Sequence, residues 1–265
     1  MLTDKSRELW FELGAEERQI VGTLREFLQA EVAPTAAERD KSGEFPFEIV
    51  RKLGELGVMG AGVPEQYGGA GLSTRVFTRI LEEVGAADGA LGLTVASHNS
   101  LCAGHILIAA NESQKREFLP KLASGEALGA WGLTESGSGS DAAALRTRAE
   151  ETASGWRING SKQFITNAGF ADLFTLYAKI DGEEFTAFLV ERDSPGLTVG
   201  PEEHKLGVHG ASTCALTLDG VRVPAGNVLG EIGKGHRVAF NVLNVGRFKL
   251  AAGCLGAMKP SIAIA

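Results

Sequence analysis

Hydrophobic residues recur every three or four positions through the first 120 or so residues, which predicts a series of helices. The first has one apolar stripe and is expected to end before Pro34, because proline interrupts a helix interior. Ser73 is placed to cap a later helix. The segment 90–110 is apolar on nearly every side, which indicates a central, buried helix. The predicted helices lie in residues 16–33, 47–60, 73–88, 90–110 and 112–125.

From Leu128 onward the pattern changes to period two with β-branched and aromatic residues, which predicts strands. Turn-forming pairs at Asn159-Gly160, Asp181-Gly182 and Asp219-Gly220 each predict a hairpin. Three hairpins in a row predict an antiparallel sheet or barrel. A helical pattern returns in residues 237–258, and Pro260 is expected to kink or end it. Helices, then strands, then the start of another helix make an α+β layout without βαβ alternation.

Composition excludes several classes of function. The net charge of −7 gives no basic footprint for nucleic acid, and no apolar run is long enough to span a membrane. The 35 glycines follow no repeat, and the five histidines lack metal-ligand spacing. Three widely spaced cysteines and a charged N-terminus without a secretory signal predict reduced thiols in the cytoplasm.

The glycine- and serine-rich stretch at residues 137–142, GSGSDA, formally matches the dinucleotide fingerprint G-x-G-x-x-G/A. That fingerprint needs a strand and a helix within one βαβ unit, whereas hairpins are predicted here, so a nicotinamide site is disfavoured. Two interpretations remain open, a turn without a function and an anion-binding nest of backbone N–H groups.

Aromatic and hydroxyl side chains surround this stretch in the sequence. Trp131 and Phe164 fit an ordinary sheet core as well as a ring-binding surface. Thr134 and Thr166 stand near them on predicted strands, where either hydroxyl is able to donate to a ring heteroatom.

Several segments together resemble the acyl-CoA dehydrogenase family of flavoenzymes, in the family's order and over the entire chain. Among them are VPEQYGGAGLS, WGLTESGSGSDAAALRTRAE, NGSKQFITNAG and KLGVHGASTCALTLDGVRVP. The resemblance implies an N-terminal helical domain, a middle β-barrel and a C-terminal helical bundle. The corresponding division is residues 1–124, 125–232 and 233–265, the last being only the start of the bundle.

The resemblance further implies FAD as cofactor and an acyl-CoA as substrate, which is dehydrogenated to the trans-2-enoyl-CoA with hydride transfer to flavin N5. Such a protein serves fatty-acid β-oxidation, with electron-transfer flavoprotein as the acceptor and a homo-oligomer, tetramer or dimer, as the assembly. The residues carried over for FAD are Trp131, Leu133, Thr134, Gly139, Ser140, Phe164, Ile165 and Thr166. Those carried over for the substrate are Ser140, Asn244 and Arg247. Glu135 and Asp141 are assigned to the structure of the loop.

The sequence departs from the family pattern at Ser136, where proline is common, and at Asn244, where aspartate is frequent. The family's catalytic glutamate is expected beyond residue 265, and the position used in one sub-branch is Gly246, which cannot take a proton. No catalytic base is therefore predicted here, and residues 1–265 alone are expected to bind FAD weakly or not at all and to be inactive. The alternative from a different class is a non-catalytic binding or assembly module with the family fold.

Overall fold

The computed structural model describes residues 13–265, apart from the side chain of Val245. Most of the charged N-terminal segment, on which the prediction of no secretory signal depends, lies outside the described residues. The helices are α1 (Ala15–Phe27), α2 (Ala33–Ser42), α3 (Phe47–Glu55), α4 (Thr74–Ala87), α5 (Gly89–Ser97), α6 (Gly104–Ala109), α7 (Glu112–Ser124) and α8 (Gly235–Ile264).

Pro34 does not end the first helix, contrary to the prediction. A π-helical segment, Leu28–Val32, continues α1 into α2, and Pro34 occupies the first turn of α2. Proline interrupts the i to i−4 bonds of an α-helix, and here the π-helical segment before it replaces those bonds with i to i−5 bonds. The chain leaves helical geometry at Gly43, which takes the left-handed conformation with φ 72°.

The predicted central helix is confirmed and consists of α5, a π-helical segment at His98–Ala103, and α6. Nearly all of its side chains in α5 and the π-helical segment are buried. The predicted cap of α4 is also confirmed, since the Ser73 hydroxyl accepts a hydrogen bond from the N–H of Val76 at 3.3 Å.

The strands form one sheet in the spatial order β6, β7, β3, β2, β4, β5, β8, with β1 also pairing with β4. Their bounds are β1 (Gly129–Gly132), β2 (Arg148–Thr152), β3 (Gly155–Thr166), β4 (Leu173–Ile180), β5 (Glu184–Glu191), β6 (Leu197–Glu202), β7 (Thr213–Pro224) and β8 (Val228–Leu229). The sheet is mixed, not purely antiparallel, because β1 and β2 both pair with β4 in parallel. The predicted barrel is not confirmed, since no pairing joins β6 to β8 within residues 13–265.

One of the three predicted hairpins is present at its expected turn. Asp181 and Gly182 connect β4 to β5 with φ of 51° and 78°, the positive values that tight hairpin turns require.

The other two pairs lie inside long strands, so those two hairpin predictions are wrong. Asn159-Gly160 is within β3 and Asp219-Gly220 within β7, where they face each other at a break in the ladder register. The N–H of Gly220 donates to Asn159 Oδ1 at 2.8 Å. The two pairs, whose residues tolerate positive φ, therefore form a bulge between paired strands. The same residue types favour a hairpin turn, so the local sequence does not distinguish the two structures.

The long C-terminal helix α8 packs on α4 at van der Waals contact between backbones. A Cβ placed on Gly256 would lie 1.9 Å from the carbonyl oxygen of Glu82, and one on Gly85 would lie 2.3 Å from that of Gly253. These glycines therefore permit the close approach. The helix continues through Pro260, which does not end it.

His98 ties the central helix to its neighbours. Its Nδ1 accepts from the N–H of Gly129 at 3.0 Å, so the proton is on Nε2, which faces the carbonyl oxygens of Leu122 at 3.0 Å and Met59 at 3.1 Å. Burial lowers the pKa of this imidazole to about 4. His98 is thus a neutral structural residue within the fold.

This burial predicts loss of stability in acid. The unfolded chain binds a proton at His98 near pH 6.5 and the folded chain only near pH 4, so the free energy of unfolding falls as pH drops through this interval. The expected loss is up to about 3 kcal/mol from this residue. Urea titrations at pH 7 and pH 4.5 would measure it, and His98→Gln should show a smaller difference between the two. An equal difference in both proteins would contradict the assignment.

Candidate functional site

The loop of residues 133–145 joins β1 to β2, which follow one another along the same edge of β4. Glu135 and Ser138 exchange backbone hydrogen bonds of 3.0 and 3.1 Å, and the Ser138 hydroxyl donates to the carbonyl oxygen of Asp141 at 2.7 Å. The loop is therefore fixed by its own backbone, while Gly139 and Ser140 stay exposed.

The Glu135 carboxylate is buried and holds the base of this loop. It accepts from the N–H of Arg146 at 2.6 Å, from the N–H and hydroxyl of Thr147 at 3.1 and 2.5 Å, and from Lys162 Nζ at 2.7 Å. Lys162 also donates to the carbonyl oxygen of Leu133 at 3.3 Å. The prediction that this carboxylate serves the loop's structure agrees with these contacts.

Burial and charge act in opposite directions on this pair. Burial alone would raise the pKa of Glu135, but the charge of Lys162 and the hydrogen bonds the carboxylate accepts outweigh it, and the pKa lies below its ordinary value. Burial lowers the pKa of Lys162 to about 8 in spite of the attraction of Glu135. Each partner thus depends on the other to remain charged inside the protein.

The outer side of the loop is open and rich in unused donors. A Cβ on Gly137 or Gly139 would meet no atom within 4 Å. Within residues 13–265, the backbone N–H groups of Gly137, Gly139 and Ser140 donate to no acceptor. A short 3-10 turn, Ala142–Ala144, and then β2 follow, so no βαβ unit is formed. The loop is therefore not a dinucleotide fingerprint, and its three free N–H groups are available to an anion.

Phe164 has an unusual backbone on the neighbouring strand β3. Its φ is 58° and the residue is 61% exposed, two costly features for a large aromatic residue. The adjacent N–H of Gln163 donates to the carbonyl oxygen of Thr134 at 2.9 Å, which fixes this bulge against the loop. Strain of this kind concentrates at functional sites. Ile165 points into the core, so only its backbone is available to a ligand.

Trp131, on β1, is half-buried and is held in place by two other aromatic side chains. Its Nε1–H donates to the Tyr177 hydroxyl at 3.3 Å, and His105 stacks on its ring at 5.8 Å. Leu133 is buried, and its carbonyl oxygen is taken by Lys162.

A cavity of about 160 Å³ lies between the central helix, the end of β3 and α8. It brings Thr166 together with Gly246 and Arg247, which are 80 or more positions away in sequence. Asn244 is one turn from Arg247 and accepts a hydrogen bond from its Nη1 at 2.8 Å, but does not line the cavity. The predicted residues therefore form two groups, one at the loop and one at this cavity.

Sequence reasoning missed Lys162, Ser97 and Ser100. The sequence contains one usable signal for Lys162, which is its place at an inward-facing position of a strand. A charged side chain that is buried there needs a partner. The two serines gave none, since their burial against the cavity depends on α8.

Within residues 13–265, no three metal-ligating side chains cluster, and no helix has the length and apolar character needed to cross a membrane.

The models of the acyl-CoA dehydrogenase N-terminal and middle domains match residues 14–126 and 130–221. A probable acyl-CoA dehydrogenase of Bacillus subtilis is 44% identical over 247 residues, which are 92% of this chain and 41% of that protein. The chain spans 62% and 60% of two further curated relatives.

Solved structures agree with these matches. The acyl-CoA dehydrogenase of Bacillus anthracis complexed with FAD superposes with a TM-score of 0.91 at 42% identity, covering 96% of this chain and 45% of that one. A structure reported for the electron transferring flavoprotein of Acidaminococcus fermentans gives a TM-score of 0.90 at 36% identity, covering 93% of this chain and 66% of that one.

Proposed function

Because the chain belongs to the acyl-CoA dehydrogenase family, we propose that it supplies the FAD and acyl-CoA sites of an enzyme that converts an acyl-CoA to the trans-2-enoyl-CoA. The observation that carries the proposal is the cavity in which Thr166, near the strained Phe164, meets Arg247 of α8. An exposed aromatic residue and a mostly apolar cavity suit a flavin ring and an acyl group, which supports the proposal.

The residues around the loop suit FAD. The free N–H groups of Gly139 and Ser140 are able to donate to its pyrophosphate, and the exposed Phe164 ring offers a face to the isoalloxazine. When bound, FAD supplies the acceptor for a hydride from the substrate. The residues proposed to hold it are Trp131, Leu133, Thr134, Gly139, Ser140, Phe164, Ile165 and Thr166.

The cavity suits the acyl thioester. Arg247 provides a positive charge for the CoA portion, and Asn244 orients that guanidinium by accepting from it. Ser140 is proposed to contact the pantetheine end. The position at which one sub-branch of the family carries its base is Gly246 in this chain, and glycine has no group that accepts a proton. We therefore assign proton abstraction to no residue between 13 and 265.

The wider context is proposed on the same grounds. An electron-transfer flavoprotein is the proposed electron acceptor, and the whole protein is proposed to be a homo-oligomer acting in fatty-acid β-oxidation in the cytoplasm. The division into residues 1–124, 125–232 and 233–265 is proposed as three domains.

The test is anaerobic titration of the protein expressed from its complete gene. We expect a yellow protein whose flavin absorption bleaches when an acyl-CoA is added, with the enoyl-CoA detected by mass spectrometry. A colourless protein, or a yellow one that no acyl-CoA bleaches, would refute the proposal.

Thr166→Val separates the hydroxyl from the shape of the side chain. We expect flavin reduction to slow roughly fivefold, since one hydrogen bond to the ring is worth about 1 kcal/mol, while FAD content is kept. Stopped-flow absorbance measures the rate. Thr152→Val, at an exposed position of β2, should leave it unchanged, and equal rates in both variants would remove Thr166 from the site.

A further inference from the structure

Two buried hydroxyls face the cavity between the central helix and α8. Ser97 and Ser100 line it and are 4% and 3% exposed. Neither Oγ atom has a hydrogen-bond partner in the part of the chain that the structure describes. Buried polar groups nearly always have partners, and of the six residues with such an unpartnered atom in residues 13–265 only these two line the cavity, so the missing partner is sought there.

Several helical hydroxyls elsewhere in this protein bond their own helix. Thr78 donates to the carbonyl oxygen of Thr74 at 2.7 Å, and Ser261 to that of Ala257 at 3.0 Å. Ser97 ends α5 and Ser100 lies in the π-helical segment that follows, where backbone bonds span five residues in place of four. Neither Ser97 nor Ser100 makes such a bond, which leaves both hydroxyls available to a ligand.

The rest of the cavity is small and mostly apolar. Leu93, Leu101 and Leu250 contribute aliphatic walls around a volume of about 160 Å³. A cavity of ~150 Å³ holds one benzene molecule. The space thus suits a group of about six non-hydrogen atoms, apolar along its stem, with a hydrogen-bonding atom where the serines lie.

We infer that Ser97 and Ser100 select a short acyl group that carries a hydrogen-bonding substituent such as a hydroxyl. The inference rests on the proposed function, because it takes this cavity to be the acyl site. The two serines are specificity-determining residues, and they take no part in the bond changes of the dehydrogenation.

Two thioesters of equal size test this selection. In 4-hydroxybutanoyl-CoA a hydroxyl replaces the terminal methyl of pentanoyl-CoA. On the complete protein with FAD, we expect calorimetry to show about 10-fold tighter binding of the hydroxylated thioester. The double variant Ser97→Ala/Ser100→Ala should bind the two within about twofold.

Ser261→Ala removes a hydroxyl of α8 that bonds its own backbone, so this variant should keep the wild-type preference. The double variant removes two unpaired hydroxyls in favour of a better helix former, so its melting temperature should not fall. Equal affinities in the wild type, or a preference that survives in the double variant, would overturn the inference, and so would the absence of binding by either thioester. Preferential binding without flavin reduction would instead refute the proposed reaction and leave the selection standing.

Discussion

Replacing Glu135 with alanine is expected to lower the free energy of unfolding by about 3–5 kcal/mol, because it leaves the fully buried Lys162 without its counter-charge. The same change removes the acceptor of the Arg146 and Thr147 N–H groups at the base of the loop. The loop should lose its fixed shape, so the complete protein should also lose FAD. Urea unfolding at pH 7 and the flavin-to-protein absorbance ratio measure the two effects.

Asp141→Ala is the matched control for this change. Its carboxylate lies in the same loop but is exposed, so we expect a change within about 0.5 kcal/mol. A cycle with Lys162→Met should show strong coupling, since the second loss costs less once the partner is gone. The prediction fails if Glu135→Ala unfolds like Asp141→Ala and keeps its flavin.

The dependence of the free energy of unfolding on acidic pH is a second test of the Glu135–Lys162 ion pair. The pKa of Glu135 is lowered in the folded state, so its contribution is complete above its ordinary pKa of 4.5 and is lost as pH falls below it. The free energy of unfolding of the Glu135→Ala protein should accordingly fall less than that of the wild type as the pH drops below 4.5.

Gly256→Ala is expected to destabilise the protein by about 3 kcal/mol, in the upper part of the range for overpacking. The added methyl would lie 1.9 Å from the Glu82 carbonyl oxygen, a backbone atom that cannot rotate away, so α8 must move off α4. The same helix carries Gly246 and Arg247 to the cavity, and binding of acyl-CoA should therefore weaken by at least about 10-fold. Differential scanning calorimetry and binding calorimetry measure the two effects.

Gly253→Ala provides the comparison one turn earlier on α8. Its Cβ would be 3.9 Å from the Leu81 carbonyl oxygen, which is ordinary contact. Since alanine is the better helix former by roughly 1 kcal/mol, this variant should be as stable as the wild type or more so. Equal melting temperatures for the two variants would show that the helices are not held at this distance by Gly256.

Local sequence determined the elements whose signals are short-range. The apolar stripe of the first helix, the cap at Ser73 and the turn at Asp181-Gly182 are all written within a few residues, because dihedral preferences and period are local properties. The residues around the loop also resembled a flavoenzyme family, which the family models then confirmed.

Tertiary structure decided the features that depend on partners distant in sequence. Asn159-Gly160 forms a bulge because β7 lies opposite, and Pro34 is accommodated because a π-helical segment precedes it. Lys162 is buried as an ion because Glu135, in the loop between β1 and β2, forms a salt bridge with it. The cavity lined by Ser97 and Ser100 exists only where α8 crosses the central helix. Pairing, desolvation and close packing are relations between segments, and a pattern read along one segment does not contain them.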